Sequence, residues 1–117
     1  MDIQSRNAGQ VNVLSIAGRF DNYTALPVRQ WLETVTTTPP ARVVVNLGQV
    51  HFMDSTALST LVHGLKLAQG QGGDVRVCGL QQPVRMIFEM TRLDQVFEIY
   101  VLEDDAINAF SAADRAE

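Results

Sequence analysis

The sequence predicts an α/β fold, with a mixed sheet of about five strands and about four helices. Apolar runs of strand length alternate with runs in which apolar residues recur every three or four positions. The first two strand-like runs are separated by a few turn-forming residues, which predicts an N-terminal hairpin. The later strand-like runs are separated by helices, which predicts parallel strands joined by right-handed crossovers.

The length and composition of the chain are those of one globular domain. Of its 117 residues, 46% are hydrophobic and 19% are charged, and both fractions are ordinary for a soluble protein. No internal repeat, low-complexity segment or linker divides the sequence. We therefore predict a single domain over residues 1–117, with a core at about 3–110 and a flexible tail at 111–117.

The charge balance argues against nucleic acid as a direct partner. The net charge is −4, with only nine Lys and Arg residues, whereas proteins that hold phosphate backbones present a basic surface. No apolar run approaches the ~20 residues of a membrane span, and no signal peptide is visible at the N-terminus. We expect neither nucleic-acid binding nor membrane association.

The single cysteine, Cys78, predicts a structural role in a reducing compartment. One cysteine cannot form an internal disulfide, and Cys78 lies in the apolar run of residues 75–78. It therefore fits a small buried side chain in a strand. This usage is typical of a cytoplasmic protein.

The first part of the chain predicts a hairpin followed by a helix. Strand signals at Ile3 and at residues 11–16 flank turn-forming residues, and Gly18 ends this section. The next helix begins near residues 21–24, where several residues can cap it, since Pro27 is tolerated only in a first turn. It ends in the Thr- and Pro-rich residues 36–40. The turn residues are Asn7, Gly9 and Gln10, and the apolar helix face is Ala25, Val28, Leu32 and Val35.

The middle of the chain predicts a strand, a helix and a second strand. Residues 42–47 are almost continuously apolar, as in a strand that is covered on both faces. The helix that follows ends in the glycine-rich residues 70–73, and residues 75–78 form the next strand. Its apolar face is Leu58, Leu61, Val62, Leu65 and Ala68, and its polar face is Ser59, Thr60, His63 and Lys66.

The last part of the chain predicts a short helix, a strand and a final helix. Pro83 suits the first turn of the short helix, and residues 96–100 are typical of a strand. The acidic residues 103–105 suit the start of the final helix because its dipole is positive there. The buried residues of the two helices are expected to be Val84, Ile87 and Phe88, then Ala106, Ile107 and Phe110.

None of the candidate catalytic patterns predicts an enzyme. The glycines at 70, 72 and 73 follow a helix, whereas a phosphate-cradling loop follows a strand and opens a helix. His51, Asp54 and Ser55 are the residue types of a hydrolase triad. However, Met53 and Ala57 stand where a nucleophile elbow has glycines. Two histidines and one cysteine give no convincing zinc spacing, and we predict no cofactor.

Asp54 and Ser55 are the most informative pair in the sequence. They lie between the strand-like and helix-like runs of the middle section, and both are leading helix N-cap residues. A serine in the first turn of a helix also presents its hydroxyl to solvent at a rigid, exposed end. From the residues alone, the pair is therefore either a cap, a working site or both.

At these residues the chain resembles a known family. Residues 43–47 (VVVNL) and 50–58 (VHFMDSTAL) resemble the signature of the STAS domain of bacterial anti-sigma factor antagonists. Residues 18–21 with Thr24 and Ala25, residues 73–78 and residues 84–90 resemble further motifs of that family. The resemblance covers about residues 3–110, and the predicted order of elements is also that of the family.

The resemblance implies a protein switch that is not an enzyme. In the family, the serine that matches Ser55 is phosphorylated by a partner that is both a serine kinase and an anti-sigma factor. The unphosphorylated antagonist binds this partner and frees a sigma factor, and a separate PP2C-type phosphatase removes the phosphate. The positions implied to contact the partner are Asp21, Asn22, Asp54, Ser55, Thr56 and Ala57.

Two positions depart from the family pattern. Ala57 stands where glycine is usual, and its methyl group is expected to narrow the approach to Ser55. Arg92 stands where a small residue, often glycine, is common. Neither departure removes the acceptor serine. An alternative role with the same fold is a scaffold or regulatory STAS module in a signalling complex that controls a target other than a sigma factor.

Overall fold

A computed structural model describes residues 2–115, and residues 112–115 by their backbone alone. The elements, in chain order, are β1 (Asp2–Ala8), β2 (Val11–Phe20), α1 (Ala25–Val35), β3 (Arg42–Met53), α2 (Ser55–Gly70), β4 (Asp74–Cys78), α3 (Gln82–Met90), a 3₁₀ turn (Leu93–Gln95), β5 (Ile99–Tyr100) and α4 (Glu103–Arg115). The strands form one sheet in the order β1-β2-β3-β4-β5. Only β1 and β2 are antiparallel, and the other neighbours are parallel. The predicted α/β class, hairpin and mixed sheet are confirmed.

The sheet separates two apolar layers. On one face, α1, α2 and α3 bury side chains such as Leu32, Leu61 and Phe88 against the strands. On the other face, α4 buries Ala106 and Phe110 in a smaller cluster. None of the helices in the described residues is long and apolar enough to cross a membrane.

Two strands are longer than their apolar patterns predict. β2 continues through Gly18, whose φ is 99°, and β3 continues past residue 47 to Met53. The pairing of β2 with β3 shifts register between Ser15 and Ala17 and again after Gly18. These bulge-like irregularities keep the two strands paired where the regular alternation of side chains between the two faces of the sheet is interrupted. The extension delivers the chain directly to the start of α2.

The C-terminal third differs from the prediction in two ways. The strand predicted at 96–100 is limited to Ile99 and Tyr100, because the N–H groups of Val96 and Phe97 both donate to the carbonyl of Leu93. Helix α4 runs through Arg115, although a flexible tail was predicted from residue 111. Residues 116 and 117 of that tail lie outside the described residues.

Cys78 is fully buried in the smaller cluster, as its sequence context predicts. Burial, assisted by the nearby negative charge of Glu103, raises the pKa of its thiol to about 12. The thiolate, which is the reactive form of cysteine, is therefore suppressed at neutral pH.

Arg92 lies in the left-handed region of backbone space, with φ 64° and ψ 15°. This conformation costs about 1–2 kcal/mol for a side chain with a Cβ but almost nothing for glycine. It gives a physical reason why glycine would suit this position.

We expect Arg92→Gly to raise the free energy of unfolding by about 1 kcal/mol, because relief of backbone strain exceeds the greater freedom of glycine in the unfolded chain. Urea unfolding of the two proteins measures the change. Arg85→Gly is the matched control. Arg85 lies inside α3, so this variant should lose about 1 kcal/mol of unfolding free energy. Loss of stability in both variants would contradict the strain at residue 92.

Glu103, the first residue of α4, ties that helix to the sheet. Its carboxylate accepts hydrogen bonds from the Arg6 guanidinium and from Asn46 Nδ2, the latter at 3.1 Å. Burial raises the pKa of Glu103, but these two hydrogen bonds and the charge of Arg6 outweigh it, so the pKa lies below its ordinary value of 4.5. The ionised form is therefore favoured in the folded protein.

Glu103 should accordingly stabilise the fold in a pH-dependent way. A carboxyl whose pKa is lowered by folding contributes fully above its unfolded value and loses that contribution as pH falls through the folded value. We expect the stability difference between wild type and Glu103→Gln to be constant above about pH 4.5 and to shrink below it. Urea unfolding across a pH series measures this difference. Arg6→Gln should reduce the pH dependence of stability below about pH 4.5, because it removes the cation that lowers the pKa of Glu103. A stability difference between wild type and Glu103→Gln that does not change with pH would contradict this role of Glu103.

Candidate functional site

Helix α2 begins at Ser55, and Asp54 caps it. The Asp54 backbone is extended, and its Oδ1 accepts the N–H of Ala57 at 2.9 Å. The Asp54 carbonyl accepts the N–H of Leu58 at 3.1 Å. The side chain thus satisfies one of the four N–H groups that open the helix, the carbonyl accepts the first intrahelical hydrogen bond, and the first helical turn is held firmly. The predicted cap is present.

The same carboxylate joins α2 to the turn that precedes α1. Its second oxygen, Oδ2, accepts the N–H of Asn22 at 3.0 Å. The Asp54 N–H in turn donates to the carbonyl of Phe20 at 3.4 Å. Two segments 32 residues apart in sequence therefore meet at Asp54, beside Ser55.

Asp21 fixes the turn from inside. Its carboxylate accepts hydrogen bonds from the N–H of Tyr23 at 3.0 Å and the Thr24 hydroxyl at 3.2 Å, and it pairs with Arg19 at 3.4 Å. Desolvation raises the pKa of Asp21, but these three partners together hold it below its ordinary value. The Arg19 guanidinium also lies 4.0 Å from the centre of the Phe52 ring, which anchors it to β3.

The predicted site residues come together, but they divide into two groups. Asn22, Ser55 and Thr56 are exposed, and Asp54 is partly exposed between them. Asp21 is 8% exposed and Ala57 is fully buried in the core. The latter two therefore support the surface from beneath. The expectation that the Ala57 methyl group narrows the approach to Ser55 is wrong, because that group points into the core.

Ser55 is accessible to another protein. Among the described residues, no hydrogen bond engages its hydroxyl, and none joins His51 to Asp54 or Ser55. His51 is exposed on β3. Nor do any three His, Cys, Asp or Glu side chains in this part of the chain come together as a possible metal site. The arrangement presents a free hydroxyl on a rigid helix end, where N–H groups and the helix dipole favour an anion.

Two apolar side chains beside the site were not predicted from the sequence. Tyr23 is 89% exposed on the turn held by Asp21, and Leu26 is 61% exposed in the first turn of α1. An aromatic residue inside a capping turn is the signal that could have drawn attention to them. Exposed aromatic and leucine side chains next to a candidate contact surface are suited to protein binding.

A groove extends from Ser55 along α2. It has a volume of about 520 Å³, and its floor includes the partly or largely buried apolar side chains of Leu58, Val62 and Leu93. Lys66 lies at the far side along α2. The complete lining is Ser55, Leu58, Ser59, Val62, His63, Lys66, Thr91 and Leu93. Val62 lies on the predicted apolar face of α2 and packs partly against the core, and its remaining surface lines the groove.

Comparison with known families gives a direct match. A family model described as STAS domain matches residues 2–106 of the chain. The anti-sigma F factor antagonist of Paenibacillus polymyxa is 27% identical over 112 residues, which cover 95% of this chain and 93% of that protein. The anti-sigma-B factor antagonist of Bacillus subtilis is 32% identical over 96 residues, which cover 82% and 84% respectively.

A solved structure supports the same relationship. The crystal structure of an anti-sigma factor antagonist from Mycobacterium paratuberculosis is 28% identical to this chain and superimposes with a TM-score of 0.81. The match covers 92% of each chain. The resemblance seen in the sequence is therefore confirmed at the level of the family and of the fold.

Proposed function

This chain belongs to the STAS domain family, and we propose that it is an anti-sigma factor antagonist controlled by phosphorylation of Ser55. In this proposal, the unphosphorylated form binds an anti-sigma factor that is also a serine kinase, and a sigma factor is freed. Phosphate on Ser55 ends the interaction, and a PP2C-type phosphatase restores it. The observation that carries the proposal is the exposed Ser55 hydroxyl at the first residue of a rigidly capped helix.

The fold is suited to carry a phosphate at this place. A phosphoserine adds about −1.5 to −2 charge at neutral pH. At the start of α2 that charge meets N–H groups and the positive end of the helix dipole, so the folded state tolerates it. The described residues include no acid in the first turn of α2 that would repel it from within the helix. The cap residue Asp54 lies beside it.

The effect of the phosphate is therefore expected at the docking surface, which we define as Asn22, Tyr23, Leu26, Asp54, Ser55, Thr56 and the groove along α2. A partner that covers Ser55 must remove water from any charge placed there. An unpaired charge in the centre of an interface costs several kcal/mol. Binding would be lost while the structure stays the same.

The relatives and the charge of the chain support the rest of the proposal. Proteins named anti-sigma factor antagonists match the chain over most of its length, and the net charge of −4 suits a protein partner better than nucleic acid. We place the protein in the cytoplasm, where the kinase and its nucleotide are present. The proposal needs no cofactor and assigns no catalytic residue to the chain.

Incubation with the cognate kinase and ATP, followed by mass spectrometry, tests the modification. We expect one phosphate on the wild type at Ser55 and none on Ser55→Ala. Phosphate on another residue, or on neither protein, would rule out the switch at Ser55. A pull-down with Ser55→Ala as bait should capture a kinase that binds a sigma factor. Capture of a kinase from another pathway would instead support the regulatory module that controls a different target.

The groove gives a further prediction about affinity. We expect Val62→Glu to weaken kinase binding about tenfold or more, because it places a charge on the apolar floor of the groove that begins at Ser55. Gln69→Glu is the matched control, since Gln69 is exposed on α2 outside the groove. Calorimetric titration measures both affinities, and circular dichroism checks that each variant is folded. Equal affinities for the two variants would remove the groove from the docking surface.

A further inference from the structure

Strand β1 is the long free edge of the sheet in the described part of the chain. It pairs with β2 on one side only, and the opposite edge strand, β5, has just two residues. No helix packs extensively against β1, and five of its seven residues are exposed. An uncovered edge presents unpaired backbone N–H and C=O groups that can bind another strand.

The turn after β1 determines which backbone groups point outward. Gly9 and Gln10 form a two-residue turn, so Ala8 and Val11 are the hydrogen-bonded pair that closes the hairpin. Hydrogen-bonded and non-hydrogen-bonded pairs then alternate along the strand. Asp2, Gln4 and Arg6 therefore direct their backbone groups toward β2. The groups that point outward belong to Ile3, Ser5 and Asn7.

The side chains of β1 are complementary to a second copy of the same strand. Asp2 and Arg6 lie on one face of the sheet, with Gln4 midway between them. If two copies pair antiparallel about a two-fold axis at Gln4, Asp2 of each copy lies opposite Arg6 of the other, whose guanidinium also pairs with Glu103 of its own chain. The two Gln4 amides then face each other and can exchange hydrogen bonds. In a pairing centred on Ser5, Asp2 faces Ala8 and both ion pairs are lost.

The backbone is compatible with this register. With the axis at Gln4, Ile3 of one copy lies opposite Ser5 of the other, and these are residues whose N–H and C=O groups point outward. They would form the hydrogen-bonded pairs, and Gln4 would form the close, non-hydrogen-bonded pair at the centre. The backbone is therefore compatible with the register centred on Gln4, and the ion pairs and the Gln4 amides are what distinguish it from the register centred on Ser5.

We propose that two copies of this chain associate through antiparallel β1 strands centred on Gln4, which joins their sheets into one. Edge strands are commonly protected against such pairing by prolines, bulges or charged side chains. β1 has neither proline nor bulge, and its charges are of opposite sign. A cavity of about 310 Å³ lies over Gln4 and Ser5, between β1 and the start of α4. Ser55, after the end of β3, stays accessible in both copies.

Sedimentation analysis over a range of concentrations tests the association. A single pair of strands is a small interface, so we expect a reversible dimer that forms between micromolar and millimolar concentration. Asp2→Arg replaces both ion pairs with like charges and should raise the dimer Kd about tenfold or more. Glu89→Arg makes the same charge change on α3 and should leave the Kd unchanged. A wild type that stays monomeric at millimolar concentration, or a dimer insensitive to Asp2→Arg, overturns the proposal.

Disulfide trapping tests the register. Close, non-hydrogen-bonded pairs bring Cβ atoms within the range of a disulfide. Gln4→Cys should therefore form a cross-linked dimer under mild oxidation, whereas Ser5→Cys should form at least tenfold less. The buried Cys78 does not compete. Equal trapping at both positions, or faster trapping at residue 5, contradicts the register. Neither experiment depends on a kinase, so its outcome is separate from that of the proposed function.

Discussion

Under the proposed function, Ser55→Asp is expected to weaken binding to the anti-sigma kinase about a hundredfold or more, with no loss of fold stability. The carboxylate of the new aspartate mimics the phosphate with a smaller negative charge, placed in the docking surface beside Asp54. It must be desolvated when the partner covers Ser55. The same negative charge at the first residue of α2 interacts favourably with the helix dipole, by about 0.3–1 kcal/mol.

The two opposite effects make the experiment decisive. Calorimetric titration with the kinase measures affinity, and urea unfolding measures stability. Ser55→Asn is the matched control, since it has nearly the shape of Asp without its charge and should bind within a few-fold of wild type. If circular dichroism or urea unfolding shows that Ser55→Asp has lost its structure, the account of a surface switch is wrong. Equal binding of the Asp and Asn variants would show that charge at this residue is not the signal.

Gly73→Ala is expected to destabilise the fold by about 3 kcal/mol or more. A Cβ on Gly73 would lie 1.7 Å from the carbonyl oxygen of Ala41 and 2.4 Å from its carbonyl carbon. That oxygen also accepts the N–H of Asp74 at 2.9 Å, at the start of β4. Because the obstacle is backbone, no side-chain rotation can relieve the contact. Either the connection from α2 to β4 or the start of β3 has to move.

Gly70 provides the control for this second prediction. It ends α2, and a Cβ added there meets no atom within 4 Å. Gly70→Ala should therefore keep the stability or raise it by up to about 1 kcal/mol, because alanine has less freedom in the unfolded chain. Urea unfolding of both variants gives the comparison. Similar stabilities for the two would show that the close approach of Gly73 to Ala41 is not maintained in solution.

The order of elements could be predicted because the spacing of apolar residues within each segment indicates a helix or a strand. The apolar spacings in α1 and α3 and the continuous run in β3 identified their elements correctly. The extension of β3 to Met53 could not be predicted, because it depends on irregular pairing with β2. Thr60 was assigned to the polar face of α2 but is 4% exposed. Its hydroxyl is satisfied locally by the carbonyl of Thr56 at 2.8 Å, so burial costs little.

The site was predictable in part for similar reasons. Asp54 and Ser55 stand out locally, since capping depends on residues within one turn. The family resemblance, rather than the local pattern, directed attention to Asp21 and Asn22. The hydrogen bond from Asn22 to Asp54 is a tertiary contact, and so is the groove formed beside the 3₁₀ turn. The burial of Ala57 also depends on how α2 packs on the sheet.

The bridge made by Asp54 has a consequence for the speed of switching. Because one carboxylate holds both the start of α2 and the turn at Asn22, the surface is already ordered before any partner arrives. Little conformational entropy is lost when the partner binds. The two states of the switch would then differ in chemical composition and not in shape. The time needed to change state would be set by phosphate transfer and by dissociation, with no slow rearrangement of the chain between them.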